Sequence, residues 1–299
     1  MCETIDSVVI NFNKDSVLIL NICVAFIMFG VALDIEVKDF KRILQSPKIP
    51  LIGLCSEYIL LPIITIALIA LFRPAPSFAL GMILLSTCPG GSTSNYMVHL
   101  SKGNAALSIT LTSITTFGAI IMTPLGFTLM AKLFPYTSDL LRSIDVSPLE
   151  MMKSIFLIIF IPLSLGMICR ARFQELTGKI KKIVSTLSLV IFLGFVVVAI
   201  INNWENIAAY VHCVFAVVTI HNALALFAGF SFARSMGLTR RDAQAISIET
   251  GIQNTALGLA IAFQFFDGLG GMTMVLAWWG IWHLISGFGL ALFWRRKFE

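Results

Sequence analysis

Long apolar runs alternate with short polar segments along the whole chain. A helix advances about 1.5 Å per residue, so roughly 20 apolar residues cross the hydrocarbon core of a bilayer. The pattern therefore predicts an all-α integral membrane protein with nine transmembrane helices. The predicted spans are residues 16–35, 49–72, 77–101, 104–133, 149–169, 183–201, 208–233, 243–266 and 270–294.

Composition supports this class. The chain is 58% hydrophobic and 12% charged, whereas a soluble domain carries about 25% charged residues. Its length fits one membrane domain covering residues 1–299. Sixteen of the 21 Lys and Arg residues fall in loops on one side, so the net charge of +5 reflects topology and not nucleic-acid binding. This asymmetry predicts an outside N-terminus and a cytoplasmic C-terminus. The lack of an N-x-Ser/Thr acceptor favours a bacterial inner (plasma) membrane.

Two of the predicted spans are interrupted by polar residues and glycine. Residues 87–95 (TCPGGSTSN) break the third span, and residues 249–255 (ETGIQNT) break the eighth. A helix that faces lipid cannot be broken in this way, because the freed backbone groups find no water to bond. Paired breaks in the two parts of a chain indicate the binding site of a secondary transporter.

The positions of the breaks also predict an internal repeat. A loop at about 134–148 separates a first part of four spans from a second part of five, and one helix follows each interrupted span. The third span starts outside and the eighth starts inside. The two parts would therefore be inverted copies of one unit, with the first copy lacking its leading helix.

Glu249 and Glu57 are carboxylates inside predicted spans. Burying a charge in the membrane is costly, so function is the default interpretation of such residues. Glu249 lies about two turns beyond Arg241, with no basic residue close in sequence, and a bound cation would compensate its charge. Glu57 is interpreted as a cation ligand, a protonatable group, or a protonated acid bonded between helices.

The two breaks contain the oxygen ligands that a hard cation such as Na⁺ prefers. Ser94 and Asn95 lie at the first break. The second break supplies Glu249, Gln253 and backbone carbonyls near Thr250 and Ile252.

Hydroxyl side chains form a stripe on the fourth span. Ser108 and Thr112 are four residues apart and share one helix face, which Thr115 and Thr116 extend. Such side chains either ligate an ion or make hydrogen bonds within and between helices. For Thr115 and Thr116 we favour hydrogen bonding.

Each break also starts a half-helix whose positive end would attract an anion. These starts lie near Ser92 and Thr93, where hydroxyls would cap the helix, and near Asn254 and Thr255. Two such ends meeting at mid-membrane would form an anion site beside the cation site. His283, in the last span, is interpreted either as a neutral hydrogen-bonding residue or as a ligand.

Several functions are not indicated by the sequence. It contains no HExxH, GxSxG, P-loop or post-strand GxGxxG motif, so neither an enzyme nor an ATP-driven pump is predicted. The six cysteines are scattered without a CxxC pair, which predicts neither a disulfide framework nor a zinc site.

Together these motifs closely resemble the bile acid:sodium symporter family, over about residues 26–294. The stretches that carry the resemblance are CPGGSTSN, Gly103–Ser108, ETGIQNT, Trp282–Gly287 and Phe29–Leu33. The resemblance implies two crossing discontinuous helices and two groups of spans, in the nine-helix form of the bacterial members. A panel would comprise about 16–35 and 149–201, and a core about 49–133 and 208–294.

The resemblance implies sodium-coupled symport of a small organic anion by alternating access, with two Na⁺ and no organic cofactor. We expect a monomer in the lipid bilayer. Bile acids, steroid sulfates, pantoate-like acids and keto acids are all candidate substrates. The first Na⁺ would use Ser94, Asn95, Ser108, Thr112 and Glu249. The second Na⁺ would use Glu249, Gln253, Glu57 and the carbonyls of Thr250 and Ile252. The substrate would contact Ser92, Thr93, Asn254, Thr255 and His283.

Two residues depart from the family pattern. Glu57 stands where Gln is usual, and Leu284 stands where Asn often follows the Trp-His pair. One carboxylate, two Na⁺ and a monoanionic substrate would be neutral together, so an ionised Glu57 would leave a net negative charge, which is costly to bury. We expect Glu57 to be protonated in the loaded site, the substrate to be less anionic, or a proton to take part in coupling.

Two other functions are weighed against symport. A proton-coupled or uniport exporter of the arsenite type would depend on a thiol, and Cys88 lies at the first break. That function leaves the Ser, Asn and Glu oxygens unexplained. A non-transporting membrane receptor or intramembrane enzyme would not be stabilised by sodium.

Overall fold

Helices form nearly all of the chain that the structure, a computed structural model, describes: residues 5, 6, 8, 10, 14–33, 35, 47–144 and 146–296. Within these ranges the β-type pairing is one isolated antiparallel bridge, between Gly90 and Gln253. The helices are α1 Lys14–Ala32, α2 Lys48–Phe72, α3 Pro76–Thr87, α4 Thr93–Leu100, α5 Ala105–Ala131, α6 Pro135–Ile144, α7 Pro148–Arg172, α8 Gln174–Asn202, α9 Trp204–Ser235, α10 Arg240–Gly251, α11 Thr255–Phe265 and α12 Gly270–Arg296.

Five helices are long and apolar enough to cross a membrane, judged by length and composition: α2, α5, α7, α12 and the part of α9 at Ala208–Ser235. They coincide with the second, fourth, fifth, ninth and seventh predicted spans. Shorter apolar helices lie at Val17–Ala32, Pro76–Thr87 and Thr255–Phe265. The all-helical class is confirmed, while the count of nine spans and the inverted repeat stay predictions. Residues 36–46, which carry some of the Lys and Arg residues used to predict the orientation, lie outside the described residues.

Both predicted interruptions are present as breaks between helices. The third predicted span consists of α3 and α4, and the eighth consists of α10 and α11. The predicted loop at 134–148 is only partly a loop, because it contains α6, whose polar and apolar residues fall on opposite faces. This helix packs against α3 and α5. A short amphipathic helix with a polar sequence is easily mistaken for a loop when only apolar runs are counted.

The helices pack in two neighbourhoods that matter for the site. Helix α1 packs against α7 and α8, which are far from it in sequence. Helix α10 packs against α9, α5 and α4, and α12 packs against α3, α9 and α11. The interrupted helices therefore lie among the long helices and not at the periphery. Contacts of α1 with α11, and of α5 with α7, join the two neighbourhoods.

One covalent feature differs from the sequence expectation. Cys213 is disulfide-bonded, whereas Cys23, Cys55, Cys88 and Cys169 are free thiols. The expectation that the scattered cysteines form no disulfide is therefore wrong for Cys213.

Candidate functional site

The two helix breaks meet and satisfy each other's backbone. The amide N–H of Gly91 donates to the carbonyl of Ile252 at 2.8 Å, and the N–H of Asn254 donates to the carbonyl of Pro89 at 2.8 Å. Between these bonds, Gly90 and Gln253 form the antiparallel bridge. Residues released from both helices thus pair with each other, which resolves the cost of broken helices inside an apolar protein.

Local sequence explains where the helices stop. Helix α3 ends at Thr87, and Cys88 is extended (φ −69°, ψ 153°), as expected for the residue before Pro89. Helix α10 ends at Gly251, after which Ile252 is extended (φ −112°, ψ 97°). The freed carbonyl of Gly251 accepts a hydrogen bond of 2.8 Å from the side chain of Asn222 on α9.

Glu249 is fully buried next to the crossing, and its carboxylate accepts hydrogen bonds from three hydroxyl groups. Ser94 donates to Oε1 at 2.5 Å, and Thr112 donates to Oε1 and Oε2 at 3.1 and 3.0 Å. Ser108 also donates to Oε1. The donors on this buried charge are therefore neutral hydroxyls, each with lone pairs left to bind a cation.

Asn95 completes this group. Its side-chain oxygen accepts hydrogen bonds from Ser108 at 2.8 Å and from Thr112 at 3.2 Å. Hydrogen bonds thus link all five residues predicted for the first sodium site into one group, although they come from α4, α5 and α10. We call this group the Glu249 cluster: Ser94, Asn95, Ser108, Thr112 and Glu249.

Glu57 also lies beside the crossing, next to Gly90. It is 3% exposed, and among the residues that the structure describes neither of its carboxylate oxygens has a hydrogen-bond partner. It lies in a π-helical turn of α2, Ser56–Leu60, where one extra residue widens the helix. Such turns frequently occur at functional sites, because they redirect a side chain without ending the helix.

The remaining residues of the predicted second site lie at the same crossing. The side-chain nitrogen of Gln253 donates to the carbonyl of Thr250 at 3.1 Å, while its Oε1 is buried without a partner. The carbonyl of Ile252 accepts from Gly91, which leaves it one further lone pair. Unpartnered oxygens of Glu57 and Gln253 thus occur where the sequence predicts a second cation.

This donor set fits sodium better than a transition metal. Within the part of the chain that the structure describes, no three His, Cys, Asp or Glu side chains come together to hold a metal ion. The oxygens come instead from hydroxyl, amide, carboxylate and backbone groups, which suit hard cations.

Four of the five predicted substrate residues lie at the two half-helix starts, and the fifth, His283, lies on α12. The side-chain oxygen of Asn254 caps α11 by accepting from the N–H of Leu257 at 3.1 Å, and its amide nitrogen contacts the sulfur of Met28 on α1 at 3.8 Å. Thr255 begins α11 and is buried. His283 on α12 is 4% exposed, and its Nδ1 has no partner.

The first half-helix start differs from the expectation. Ser92 occupies the N-cap position of α4 and Thr93 the first helical position, but no side chain caps this end. The expected hydroxyl cap is therefore absent at Ser92. Its backbone is already helical (φ −57°, ψ −24°), unlike that of a capping residue, which is typically extended.

Sequence reasoning missed several residues that hold the crossing together. Ser56 hydrogen bonds Thr250 at 2.7 Å, and Ser286 donates to Asn222 at 2.6 Å. Thr115, for which we favoured hydrogen bonding, donates within its helix to the carbonyl of Leu111 at 3.0 Å and accepts from the N–H of Gly90 at 3.3 Å. The available signal was that Ser286 lies one turn from His283 and that Ser56 directly precedes Glu57. Such closeness in sequence does not identify the hydrogen-bond partner of either residue.

Cys88, the thiol on which an exporter function would depend, is 4% exposed. A side-chain carbon added to Gly258 of α11 would lie 3.5 Å from its sulfur. The thiol therefore packs against α11, and the hydrogen bonds of the Glu249 cluster do not involve it.

The sequence is also similar to known proteins. A model of the Sodium Bile acid symporter family matches residues 21–210. The uncharacterized sodium-dependent transporter YocS of Bacillus subtilis is 33% identical over 282 residues, covering 93% of this chain and 83% of that protein. A probable chloroplastic sodium/metabolite cotransporter of Arabidopsis thaliana, BASS1, is 31% identical over 278 residues, covering 90% of this chain and 65% of the plant protein.

The family match extends over more than half of the chain. The resemblance inferred from the paired breaks is thereby confirmed, and the protein is a multi-pass membrane protein of a transporter family. The Arabidopsis relative is longer than this chain, which spans less than two thirds of it. This chain belongs to the sodium bile acid symporter family.

Proposed function

We propose that this protein is a sodium-coupled secondary active symporter of a small organic anion. The observation that carries the proposal is the Glu249 cluster. A fully buried carboxylate receives only hydroxyl donors there, at the point where two broken helices cross. A buried charge needs compensation, and a transported cation supplies it.

The ions are the first element of the proposal. One Na⁺ binds the Glu249 cluster. A second binds between Glu249, Gln253, Glu57 and the carbonyls of Thr250 and Ile252. The unpartnered oxygens of Glu57 and Gln253 support this second position. The Bacillus relative is named a sodium-dependent transporter and the Arabidopsis relative a probable sodium/metabolite cotransporter, which supports the choice of ion.

Alternating access is the second element. Helices α1, α7 and α8 form a panel, and α2 to α5 with α9 to α12 form a core. The packing of α1 against α7 and α8 supports this grouping. Sodium biases the equilibrium between outward- and inward-open states only by binding one of them more tightly. The crossing, whose backbone segments hold each other, is the element that the ions stabilise.

The substrate is the third element. The starts of α4 and α11 offer positive dipole ends, which favour an anion. Ser92, Thr93, Asn254, Thr255 and His283 contribute polar contacts. The contact between Asn254 and Met28 of α1 supports a substrate position that faces the panel. We propose a monomer in a bacterial inner membrane, with an outside N-terminus and a cytoplasmic C-terminus.

Sodium-driven uptake into proteoliposomes tests the proposal. Purified protein is given an inward Na⁺ or K⁺ gradient and a labelled bile acid, steroid sulfate, pantoate or pyruvate. Uptake of at least one anion in Na⁺ alone is expected, and Glu249→Ala should abolish it. Glu205→Gln, which removes an exposed acid at the start of α9, is the control and should transport normally.

Two results would contradict this function. Full sodium-driven transport by Glu249→Ala would refute the role of the cluster. Loss of transport in Cys88→Ser, with equal uptake in Na⁺ and K⁺, would favour a thiol-dependent exporter. Thermal unfolding of each variant without sodium shows whether it is folded before transport is compared.

A further inference from the structure

Asn104 and Asp242 are hydrogen bonded across two helix starts, away from the crossing. The side-chain nitrogen of Asn104 donates to Oδ1 of Asp242 at 2.7 Å. The other oxygen, Oδ2, accepts from the hydroxyl of Thr239 at 2.6 Å. Asp242 is 5% exposed, so this charge is paired inside the protein and not at its surface. A hydrogen bond to a buried charged group is among the stronger interactions in proteins.

Both residues also belong to helix caps. Asn104 is the N-cap of α5, and its side-chain oxygen accepts from the N–H of Leu107 at 3.1 Å. Thr239 is the N-cap of α10, and its hydroxyl accepts from the N–H of Asp242 at 3.2 Å. The bond between Asn104 and Asp242 therefore joins the two caps and fixes the start of α5 relative to the start of α10.

The end of α4 is held at the same point. A tight turn connects α4 to α5, with Lys102 in the left-handed region (φ 60°) and the N–H of Gly103 bonded to the carbonyl of Val98 at 3.0 Å. The N–H of Asn104 then donates to the carbonyl of Arg241 at 3.0 Å. Three helices, α4, α5 and α10, thus meet at this junction.

These three helices carry the whole Glu249 cluster. Ser108 lies one turn beyond Asn104 on α5, and Glu249 lies about two turns beyond Asp242 on α10. Ser94 and Asn95 lie about two turns before the junction on α4. Helices of this length are stiff, so the relative placement of their ends determines where the ligand oxygens lie. Ligand groups must be held within about 0.5 Å of their productive positions for tight binding.

We propose that Asn104 and Asp242 are a positioning pair that sets the geometry of the first sodium site. The proposal rests on the proposed function, because it assigns the Glu249 cluster to sodium. The backbone carbonyl of Asn104 accepts from the N–H of Ser108 at 3.1 Å, as in any helix, but the bonds described join neither the Asn104 nor the Asp242 side chain to a ligand oxygen of the cluster, so the pair acts through the three helices that it joins. Its loss lowers sodium affinity without removing a ligand.

A reciprocal exchange separates positioning from simple capping. Asp242→Asn replaces the charged acceptor of this bond with a neutral amide, and Asn104→Asp leaves two carboxylates facing each other. Asp caps a helix as well as Asn does, so Asn104→Asp keeps the cap of α5. The double variant Asn104→Asp/Asp242→Asn restores one donor and one acceptor with the positions exchanged.

The measurement is the Na⁺ concentration that half-saturates thermal stabilisation of the purified protein, with K⁺ holding ionic strength constant. The measurement needs no substrate, because an ion that binds only the folded state raises the melting temperature of the protein. Each single variant should raise half-saturation about tenfold, the value expected for losing a hydrogen bond to a charged group. The double variant should recover most of this loss. Asn202→Asp, the same substitution at an exposed residue ending α8, should change nothing.

The outcomes distinguish this proposal from the proposed function. If the wild type responds equally to Na⁺ and K⁺, both are overturned. If the wild type responds to Na⁺ but the single variants keep its half-saturation, only the positioning pair is overturned. A double variant no better than either single variant also overturns it, since capping alone predicts no rescue.

Discussion

The carboxylates of Glu57 and Glu249 approach the same glycine, Gly90, from α2 and α10. A side-chain carbon built on Gly90 would lie 2.5 Å from Oε2 of Glu249 and 3.6 Å from Oε2 of Glu57. Two buried acids thus share one small volume at the centre of the helix crossing. Placing two like charges together in a protein interior is unfavourable unless cations or a proton intervene. Glu57, which stands where the family usually has Gln, therefore adds its charge directly beside that of Glu249.

Glu57→Gln should therefore change how uptake depends on pH and on the charge of the substrate. If both acids are ionised, two Na⁺ and a monoanionic substrate leave one uncompensated negative charge. Raising the pH should then reduce uptake of monoanions by the wild type, whereas Glu57→Gln should show a flatter profile or accept more anionic substrates. Uptake measured from pH 5 to pH 9 with neutral, monoanionic and dianionic probes checks this. Identical pH profiles and substrate ranges for both proteins would eliminate the hypothesis.

Gly90→Ala should destabilise the helix crossing because the added methyl group has no room. It would overlap Oε2 of Glu249, which Thr112 already holds at 3.0 Å. We expect a loss of about 1–3 kcal/mol in the free energy of unfolding, typical of overpacking, together with loss of sodium-dependent stabilisation.

Gly289→Ala is the matched control for this overlap. A side-chain carbon at Gly289 of α12 meets nothing within 4 Å, so stability should change by no more than about 1 kcal/mol, with unchanged sodium response. Thermal unfolding of both variants with and without Na⁺ makes the comparison. Equal behaviour of the two alanine variants would show that the space beside Gly90 is not restrictive.

Thr112→Val should weaken sodium binding while preserving the shape of α5. The hydroxyl of Thr112 donates to both oxygens of Glu249, and its loss leaves the buried carboxylate with fewer donors. Half-saturation by Na⁺ should rise about tenfold, corresponding to a hydrogen bond to a charged group.

Thr110→Val is the control on the same helix. The hydroxyl of Thr110 donates only to the carbonyl of Ala106 among the bonds described, so its removal should leave sodium binding unchanged. Sodium titrations followed by thermal unfolding compare the two variants. A larger effect from Thr110 than from Thr112 would argue that the hydroxyl stripe acts only within the helix.

The predictability of the site depends on the range of the interactions. Ser108 and Thr112 share a helix face, which four-residue spacing predicts. Their contact with Glu249 joins residues more than 130 positions apart, and no local pattern contains it. The resemblance to a family supplied that grouping, and the structure brings the side chains together. The π-helical turn at Glu57 had no sequence prediction, because widening a helix by one residue depends on the surroundings of α2.

Hydrophobic patterning alone determined that this is a helical membrane protein, and it located both breaks, because a bilayer penalises every unsatisfied backbone group. It also identified Glu249 and Glu57 as costly buried acids. Only the tertiary structure decided that the breaks pair through Gly90 and Gln253, and that a bond from Asn104 to Asp242 joins the helices of the Glu249 cluster. The cost of burying a residue in the membrane depends on that residue and its neighbours in sequence, so the sequence shows it. Pairing depends on which distant segments pack within hydrogen-bond distance of each other, so only the tertiary structure shows it.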